Sequence, residues 1–220
     1  MYNEIINSIL ENKLIVIVRG VDKDKLIPLA ESLYAGGIRL MEVTYSANGS
    51  TPDQETAENI RMLSHYFEGK MHIGAGTVLT PEQVMLTKHA GGRFIISPNT
   101  DKSVITKTKE LGLISMPGAL TPSEIQEAHI FGADFVKVFP INSLGAGYLK
   151  AIKAPLSHIK LLAVGGINEK NMNDYLRAGA CGFGVGANLV NNSLIKANDF
   201  ESITNLAKQY TAVIKECQHI

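Results

Sequence analysis

Leu14-Ile15-Val16-Ile17-Val18, followed by Arg19-Gly20, indicates the fold of this chain most directly. The run is apolar without interruption, which is typical of a strand that is covered on both faces in a parallel sheet. Apolar residues then recur at helical spacing from Leu26 to Tyr34. Gly36-Gly37 follows them, and glycine is common at the end of a helix. These features together predict one strand–helix unit.

The same strand–helix unit recurs along the chain. Three of the intervening helices begin with Thr-Pro-x-Gln or Thr-Pro-x-Glu, which is typical of a capping box with proline in the first turn: Thr51–Gln54, Thr80–Gln83 and Thr121–Glu124. The predicted strands are Leu14–Val18, Ile38–Val43, His72–Ala75, Arg93–Ser97, Leu113–Ser115, Phe135–Val138, Lys160–Val164 and Cys181–Val185. Eight such units without a linker predict a single (β/α)8 TIM barrel domain over residues 1–220, preceded by a short N-terminal helix. An open, doubly wound sheet is the alternative.

The overall charge gives no reason to expect a nucleic-acid or membrane partner. Lys plus Arg and Asp plus Glu both number 21, so the net charge is zero. No apolar run approaches the roughly 18 residues that a membrane span requires. The start Met1-Tyr2-Asn3-Glu4 lacks the basic residues of a signal peptide, and Cys181 and Cys217 match no disulfide framework. A reduced cytoplasm is therefore the expected location.

The histidines predict no catalytic metal. They have neither His-x-His nor His-Glu-x-x-His spacing, and the two cysteines match no zinc pattern. We interpret all six as helix-surface or turn residues: His65, His72, His89, His129, His158 and His219. No cofactor is expected.

Lys137 is the first candidate for chemistry. In Phe135-Val136-Lys137-Val138-Phe139-Pro140, β-branched and aromatic residues predict a strand that proline ends. Side chains alternate along a strand, so Lys137 shares a face with Phe135 and Phe139. If both faces are covered, burial lowers the pKa of the amine and makes it nucleophilic, as a Schiff-base lysine requires. The alternative is a structural lysine on an edge strand, with its ammonium in water.

Glu42 is the second candidate. It interrupts the strand-like segment Leu40-Met41-Glu42-Val43-Thr44. A buried carboxylate is costly unless it is paired or used. The alternative is an acid at a strand end that is hydrated or bonded to the backbone. A neutral amine attacks a ketone and a carboxylate then moves protons, so Glu42 and Lys137 together favour the functional interpretation.

Other predicted strand ends carry glycine-rich turns. Gly74-Ala75-Gly76-Thr77 either lets backbone amides and a hydroxyl approach a ligand or is only a tight turn. Val164-Gly165-Gly166-Ile167-Asn168 and Gly184-Val185-Gly186-Ala187-Asn188 follow the last two strands. In barrels, this pair of loops often binds phosphate.

At this point, the motifs resemble one family across nearly the whole chain. Val18-Arg19-Gly20, Glu42-Val43-Thr44, Gly74-Ala75-Gly76-Thr77-Val78-Leu79, Ser97-Pro98-Asn99, Pro117-Gly118, Val136-Lys137-Val138-Phe139-Pro140 and Val164-Gly165-Gly166-Ile167 occur in the family's order. The sequence is similar to the class I aldolases of 2-keto-3-deoxy-6-phospho sugar acids, the gluconate and galactonate enzymes. Gluconate members also cleave 4-hydroxy-2-oxoglutarate.

This resemblance implies a set of roles. Lys137 corresponds to the Schiff-base lysine, Glu42 to the acid–base residue that acts through water, and Thr77 to a ligand of the pyruvate carboxylate. Phe139 and Pro98 correspond to pocket walls, and phosphate binding falls to Gly165, Gly166, Gly186, Ala187 and Asn188. The resemblance further implies a phosphorylated sugar acid and pyruvate as ligands, a pathway of the Entner-Doudoroff type and a homotrimer of (β/α)8 barrels.

The sequence departs from the gluconate members at three places. Tyr45-Ser46-Ala47-Asn48 stands where they often have an arginine, and we expect Arg19 to supply the missing cation. Ala187 replaces a serine of the last phosphate loop. Val164, a pocket-wall position, replaces threonine and resembles the galactonate branch, so the sugar epimer stays open. A phosphosugar isomerase or epimerase and a non-catalytic sugar-acid-binding protein are the alternative functions.

Overall fold

In a computed structural model, the chain forms a ring of parallel strands surrounded by helices. The model describes residues 2–217. The strands are β1 (Leu14–Val18), β2 (Leu40–Thr44), β3 (His72–Gly76), β4 (Phe94–Ile96), β5 (Ile114–Met116), β6 (Gly118–Ala119), β7 (Val136–Val138), β8 (Leu161–Val164) and β9 (Gly182–Val185). The helices are α1 (Tyr2–Asn12), α2 (Lys23–Ala35), α3 (Asp53–Tyr66), α4 (Pro81–His89), α5 (Lys102–Glu110), α6 (Pro122–Ile130), α7 (Gly145–Lys153), α8 (Met172–Arg177), α9 (Asn192–Lys196) and α10 (Phe200–Cys217). Met1, His219 and the side chain of Cys217 lie outside the described part of the chain.

The strands close into a barrel, which confirms the (β/α)8 prediction and excludes the open sheet. Their order around the ring is β5-β4-β3-β2-β1-β9-β8-β7-β6. The two end members, β5 and β6, are consecutive in the chain and separated only by Pro117. The predicted fifth strand, Leu113–Ser115, corresponds to β5, and β6 extends it beyond Pro117: β5 pairs with β4, and β6 pairs with β7. Proline has no amide hydrogen to donate to the ladder, which accounts for the break.

The helix starts follow the predicted capping boxes at two of the three places. Thr121 and Glu124 form a complete box, and the Thr80 hydroxyl accepts from the amide of Gln83. The prediction for Thr51 is wrong, because α3 begins at Asp53 and Pro52 has an extended conformation. In α4 and α6 the proline is instead the first helical residue, so the preceding threonine can cap.

Two apolar layers hold the barrel together. The larger lies between the strands and the outer helices, where the described helices bury one face each. The smaller fills the barrel interior, where Phe94 and Phe135 pack with Ile5 and Ile9 of α1. The N-terminal helix therefore closes the end of the barrel at which the strands begin. The opposite end, where the strands finish, is left for ligands.

Two further points concern the described residues. No helix among residues 2–217 has the length and hydropathy needed to span a bilayer.

The position of His72 corrects the interpretation of the histidines. It begins β3 and is half-buried, whereas the sequence predicted a residue on a helix surface or in a turn.

Candidate active site

Lys137 is buried in the barrel, at the centre of β7. Its side chain is only 8% exposed, and its Nζ lies 4.7 Å from the centre of the Phe139 ring. Burial lowers the pKa of the amine, the negative charge of Glu42 opposes this effect and the positive charge of Arg19 adds to it. A lysine in this environment has a larger neutral, nucleophilic fraction than a lysine in water.

Glu42 points into the same space from β2. It is 2% exposed, and burial raises its pKa to about 7 against the opposing charges of Lys137 and Arg19. Within residues 2–217, its Oε2 is buried without a hydrogen-bond partner. A carboxyl with a pKa near neutrality can both accept and return a proton at physiological pH.

Gly76 makes room for that carboxylate at the end of β3. A Cβ atom on Gly76 would lie 2.5 Å from Oε1 of Glu42, far inside van der Waals contact. The sequence left open whether the glycines of Gly74-Ala75-Gly76-Thr77 let a ligand approach or form only a tight turn. In the structure, Gly76 makes space for the side chain of Glu42, and Gly74 makes space for the ring of Phe94.

A narrow cavity of about 10 Å³ connects the amine and the carboxylate. That volume is close to the space that one water molecule needs. Ile17, Leu162 and Val164 are among its walls. Val164 was predicted as a wall, but Ile17 and Leu162 were missed. Strand register could have found them, because Ile17 is level with Glu42 and Leu162 is level with Lys137.

Arg19 and Thr77 meet at the rim of the barrel. Nη2 of Arg19 donates a hydrogen bond to Oγ1 of Thr77 over 3.0 Å. Thr77 is buried and has a φ of +55°, which is unusual for a β-branched residue. Backbone strain of this kind is often found at ligand sites. The pair presents a hydroxyl and a cation, which are groups that bind a carboxylate.

Pro98 and Phe139, the other two predicted wall residues, are both half-buried. Neither is among the residues that line the narrow cavity itself. Phe139 flanks the amine of Lys137, as the predicted alternation along the strand requires. Pro98 lies against the break in the fifth strand, where a Cβ on Gly118 would come within 2.3 Å of the Pro98 carbonyl oxygen.

The two glycine loops lie side by side after β8 and β9. Gly165 and Gly166 have positive φ values of 106° and 69°. The side-chain amide of Asn188 donates to the Ile167 carbonyl at 2.9 Å and so connects the loops. Ala187 and Asn188 are exposed and Gly186 is half-buried, so their backbone is within reach of a ligand.

The short helix α9 follows the second glycine loop, but it offers few free amide groups to a ligand. Its N-cap residue, Asn191, accepts hydrogen bonds from the amides of Ser193 and Leu194. Because the first turn is already capped, the loop glycines are the more available donors.

Among residues 2–217, histidine, cysteine, aspartate and glutamate side chains do not form a group of three that could hold an ion. The arrangement brings together an amine and a carboxyl that can carry a proton.

Comparisons with known proteins agree with this chemistry. The family model of KDPG and KHG aldolases matches residues 5–206. The 2-dehydro-3-deoxy-phosphogluconate aldolase of Haemophilus influenzae is 31% identical over 216 residues, which are 96% of this chain and 97% of that protein. The 2-dehydro-3-deoxy-6-phosphogalactonate aldolase of Escherichia coli is 32% identical over 203 residues, which are 92% of this chain and 93% of that protein.

A solved structure extends the comparison to the reaction. KDPG aldolase from Legionella pneumophila, with pyruvate captured at low pH as a covalent carbinolamine intermediate, has a TM-score of 0.82 and 32% identity. The match covers 91% of this chain and 95% of that one. The protein is thus an aldolase, a carbon–carbon lyase of the Schiff-base class. Within that class, it belongs to the KDPG and KHG aldolase family.

Proposed function

We propose that this aldolase reversibly cleaves a 2-keto-3-deoxy-6-phospho aldonate to pyruvate and D-glyceraldehyde 3-phosphate. One observation carries the proposal: the amine of Lys137, with its pKa lowered by burial, shares a narrow cavity with the carboxyl of Glu42. An amine beside a proton carrier is what cleavage through an iminium needs.

The first stage forms the iminium. The neutral amine of Lys137 attacks the C2 ketone of the substrate and gives a carbinolamine. Glu42, acting through water, then donates a proton to the departing hydroxyl, and water leaves. The resulting iminium carries a positive charge, which draws electrons from the neighbouring carbon–carbon bond.

The second stage breaks the C3–C4 bond. The Glu42 carboxylate, acting through water, removes the proton of the C4 hydroxyl. The C4–O bond becomes a carbonyl, and the C3–C4 electron pair moves to C3 to form the enamine. Glyceraldehyde 3-phosphate departs. Glu42, acting through water, then returns the proton that it took to C3, and addition of water to C2 of the resulting iminium releases pyruvate and restores the amine of Lys137.

The remaining site residues position the two ends of the substrate in this proposal. Thr77 and Arg19 bind the carboxylate, which is supported by their contact at the rim. Pro98, Phe139 and Val164 form the walls. Backbone amides of the two loops bind the phosphate, from Gly165 and Gly166 after β8 and from Gly186, Ala187 and Asn188 after β9.

Both epimers remain candidate substrates, and Val164 favours the galactonate compound. It is 5% exposed and lines the cavity beside Glu42 and Lys137. Its methyl groups cannot hydrogen-bond a sugar hydroxyl, whereas threonine at this place could. The unphosphorylated 4-hydroxy-2-oxoglutarate, which yields pyruvate and glyoxylate, is a further candidate because the amine and the carboxyl need no phosphate.

Trapping with borohydride tests the mechanism. The enzyme is incubated with pyruvate and borohydride, and peptide mass spectrometry locates the reduced adduct. We expect a single adduct, on Lys137. Lys137→Met is the control, and we expect it to fold, because it replaces a buried amine by an apolar side chain of similar length. A folded wild-type sample without an adduct would contradict the mechanism.

An assay for released pyruvate tests the substrate. The gluconate and galactonate compounds are compared at equal concentrations, together with 4-hydroxy-2-oxoglutarate. We expect faster cleavage of the galactonate epimer. Equal rates would contradict the role of Val164 in selecting the galactonate epimer. A lysine adduct with pyruvate, without release of pyruvate from any of the three compounds, would indicate that the enzyme has a different aldol substrate.

We also propose that residues 1–220 form a single aldolase domain that assembles as a homotrimer. The resemblance to the family supports this assembly. Ile130 and Leu144, which are 69% and 43% exposed, are apolar side chains that an assembly could cover. Light scattering coupled to gel filtration distinguishes a trimer from a monomer. The proposed role is sugar-acid degradation of the Entner-Doudoroff type in the cytoplasm.

A further inference from the structure

A polar cleft of about 430 Å³ opens at the end of the barrel where the strands begin, opposite Lys137 and Glu42. It lies between α1, α3, α4, the first residues of β3 and Arg93, which precedes β4. Its volume is within the range of sites that bind small molecules. The aldolase chemistry proposed above makes no use of it.

Basic side chains converge on this cleft. Six of its lining residues carry basic groups: Arg61, His65, Lys70, His72, His89 and Arg93. Only Glu4 and Glu68 line it with acidic groups. With histidines counted as neutral, the chain has no net charge and the cleft has a net charge of +1 from Arg61, Lys70 and Arg93 against Glu4 and Glu68; each protonated histidine adds one more positive charge. A net positive charge raises the local concentration of anions.

Most of these basic groups have no partner within the protein. Within residues 2–217, the side chains of Arg61, His65, Lys70 and His89 form no hydrogen bond or ion pair. Glu4 and Arg93 do have interactions of their own, so they are not counted as available. Ser64 also lines the cleft, and its hydroxyl is buried without a partner in the described residues. Cations and a hydroxyl that lack acceptors in the protein are suited to a ligand that supplies acceptors.

We propose that this cleft, between Arg61, Lys70 and the three histidines, binds a small polyanion, a phosphorylated or polycarboxylic metabolite. Such a ligand supplies several acceptor oxygens and neutralises the clustered positive charge. Binding tightens as the pH falls, because protonation of the His72 imidazole adds a charge that attracts the anion. The acidic side chains of Glu4 and Glu68 in the lining oppose the binding of an anion.

His72 provides a local indicator of binding. It is half-buried and begins β3. Burial lowers its pKa, as does the charge of Arg93, while Glu4 acts in the opposite direction. An anion in the cleft stabilises the protonated imidazole, so the pKa of His72 rises when the site is occupied.

Nuclear magnetic resonance of the histidine imidazoles tests the proposal on the full chain. Pyrophosphate and citrate are the probes, and potassium chloride of equal ionic strength is the reference. We expect saturable shifts of His65, His72 and His89 with at least one probe, larger at pH 6 than at pH 8. His129 and His158, which contact each other away from the cleft, should not move. The more effective probe identifies the phosphate or the carboxylate class.

A double variant removes two cations from the cleft. Arg61→Gln with Lys70→Gln should weaken binding about tenfold or more, since charge-assisted hydrogen bonds are lost. Lys150→Gln with Lys208→Gln removes the same charge from exposed positions on α7 and α10 and should leave binding unchanged. The proposal is overturned by shifts that are not saturable, by equal shifts of all five histidines, or by equal affinity of the two double variants. Borohydride trapping is independent of these readouts, so this site and the aldolase mechanism can fail separately.

Discussion

The guanidinium of Arg19 donates a hydrogen bond to the hydroxyl of Thr77 over 3.0 Å, and this bond connects the end of β1 to the residue that follows β3. The two strands are not neighbours, because β2 lies between them. The contact therefore spans the strand that carries Glu42. It brings a positive charge close enough to lower the pKa of both Lys137 and Glu42. In the proposed mechanism, the substrate carboxylate binds at this contact.

Replacing Arg19 by methionine should weaken binding of pyruvate and of the aldol substrate. Loss of a charged hydrogen-bond donor corresponds to roughly a tenfold to hundredfold rise in KM. Because the Arg19 charge also lowers the pKa of Lys137, its removal should move formation of the pyruvate adduct to higher pH. Steady-state kinetics and the pH dependence of adduct formation measure the two effects.

Arg177→Met is the control for this prediction, because Arg177 is exposed at the end of α8. It should change neither KM nor the pH dependence. If Arg19→Met also left both unchanged, then Arg19 would not bind the carboxylate, and the cation that the sequence lacks after Thr44 would have to come from elsewhere.

The proximity of Lys137 and Glu42 could be predicted from the sequence. Alternation along each strand fixes which side chains face inward, and parallel strands bring their carboxyl ends to one rim. Two polar residues on apolar strands therefore had to meet inside the barrel. This reasoning needs only periodicity and topology, which the sequence contains.

Contacts that depend on side-chain reach were not predictable in this way. The fit of the Glu42 carboxylate against Gly76 requires the direction of a carboxylate three bonds from the backbone. The connection from Asn188 to Ile167 requires the relative position of two loops. The break at Pro117 separates a segment that pairs with β4 from one that pairs with β7, and this change of partner depends on how the strands are arranged around the barrel. These are properties of three-dimensional packing.

The titration of Glu42 should control the acid side of the pH–rate profile. Its pKa is raised to about 7, and the proposed mechanism needs the carboxylate to accept a proton from C4. This step takes place in the enzyme–substrate complex, whose ionisation is reported by kcat, so kcat should fall as the pH decreases below about 7. Glu42→Gln should lower kcat by about 10²- to 10⁴-fold and remove this inflection. Glu127→Gln, an exposed change on α6, is the control.

The same pKa predicts how stability depends on pH. Because folding raises the pKa of Glu42 from 4.5 to about 7, the folded state holds one more proton than the unfolded state in this interval. This contribution to stability is complete below pH 4.5 and is lost as the pH rises to about 7. Relative to the wild type, Glu42→Gln should gain about 3 kcal/mol of unfolding free energy between pH 4.5 and 8. Urea unfolding at several pH values measures the difference, and parallel curves for the two proteins would contradict it.

Gly76→Ala should impair catalysis by displacing Glu42. The added Cβ would lie 2.5 Å from Oε1 of Glu42, so the carboxylate has to move. A displacement of about 1 Å in a catalytic group can cost on the order of 10²-fold in rate. We expect kcat to fall by about that factor while KM for pyruvate changes little, because Arg19 and Thr77 are not displaced. A shifted acid inflection in the pH–rate profile would show that Glu42 is the group affected.

Gly147→Ala is the matched control, because Gly147 lies in α7 and an added Cβ there has no atom within 4 Å. Alanine favours a helix, so this variant should be more stable by about 0.5–1 kcal/mol and fully active. Equal loss of activity in both variants would mean that the role assigned to Gly76 is wrong.

Gly166→Ala should separate recognition of phosphate from the chemistry. Gly166 has a φ of +69°, and an added Cβ would lie 2.7 Å from Cβ of Asn142, so the loop has to change shape. If its backbone binds the phosphate, KM for the phosphorylated substrate should rise about tenfold or more, since hydrogen bonds to a charged group are lost. Cleavage of 4-hydroxy-2-oxoglutarate, which has no phosphate, should be nearly unchanged. Initial rates with the two substrates measure this split.

Gly112→Ala isolates the effect of backbone strain alone, because Gly112 has a similar φ of +66° and an added Cβ there has no neighbour within 4 Å. Gly112 lies between α5 and β5, away from the proposed phosphate loops. Its variant should lose some stability and keep KM for both substrates. If Gly166→Ala raised KM for both substrates equally, the loop would have a structural role at the barrel rim and no specific role in binding the phosphate. Only a rise confined to the phosphorylated substrate supports a phosphate site at Gly166.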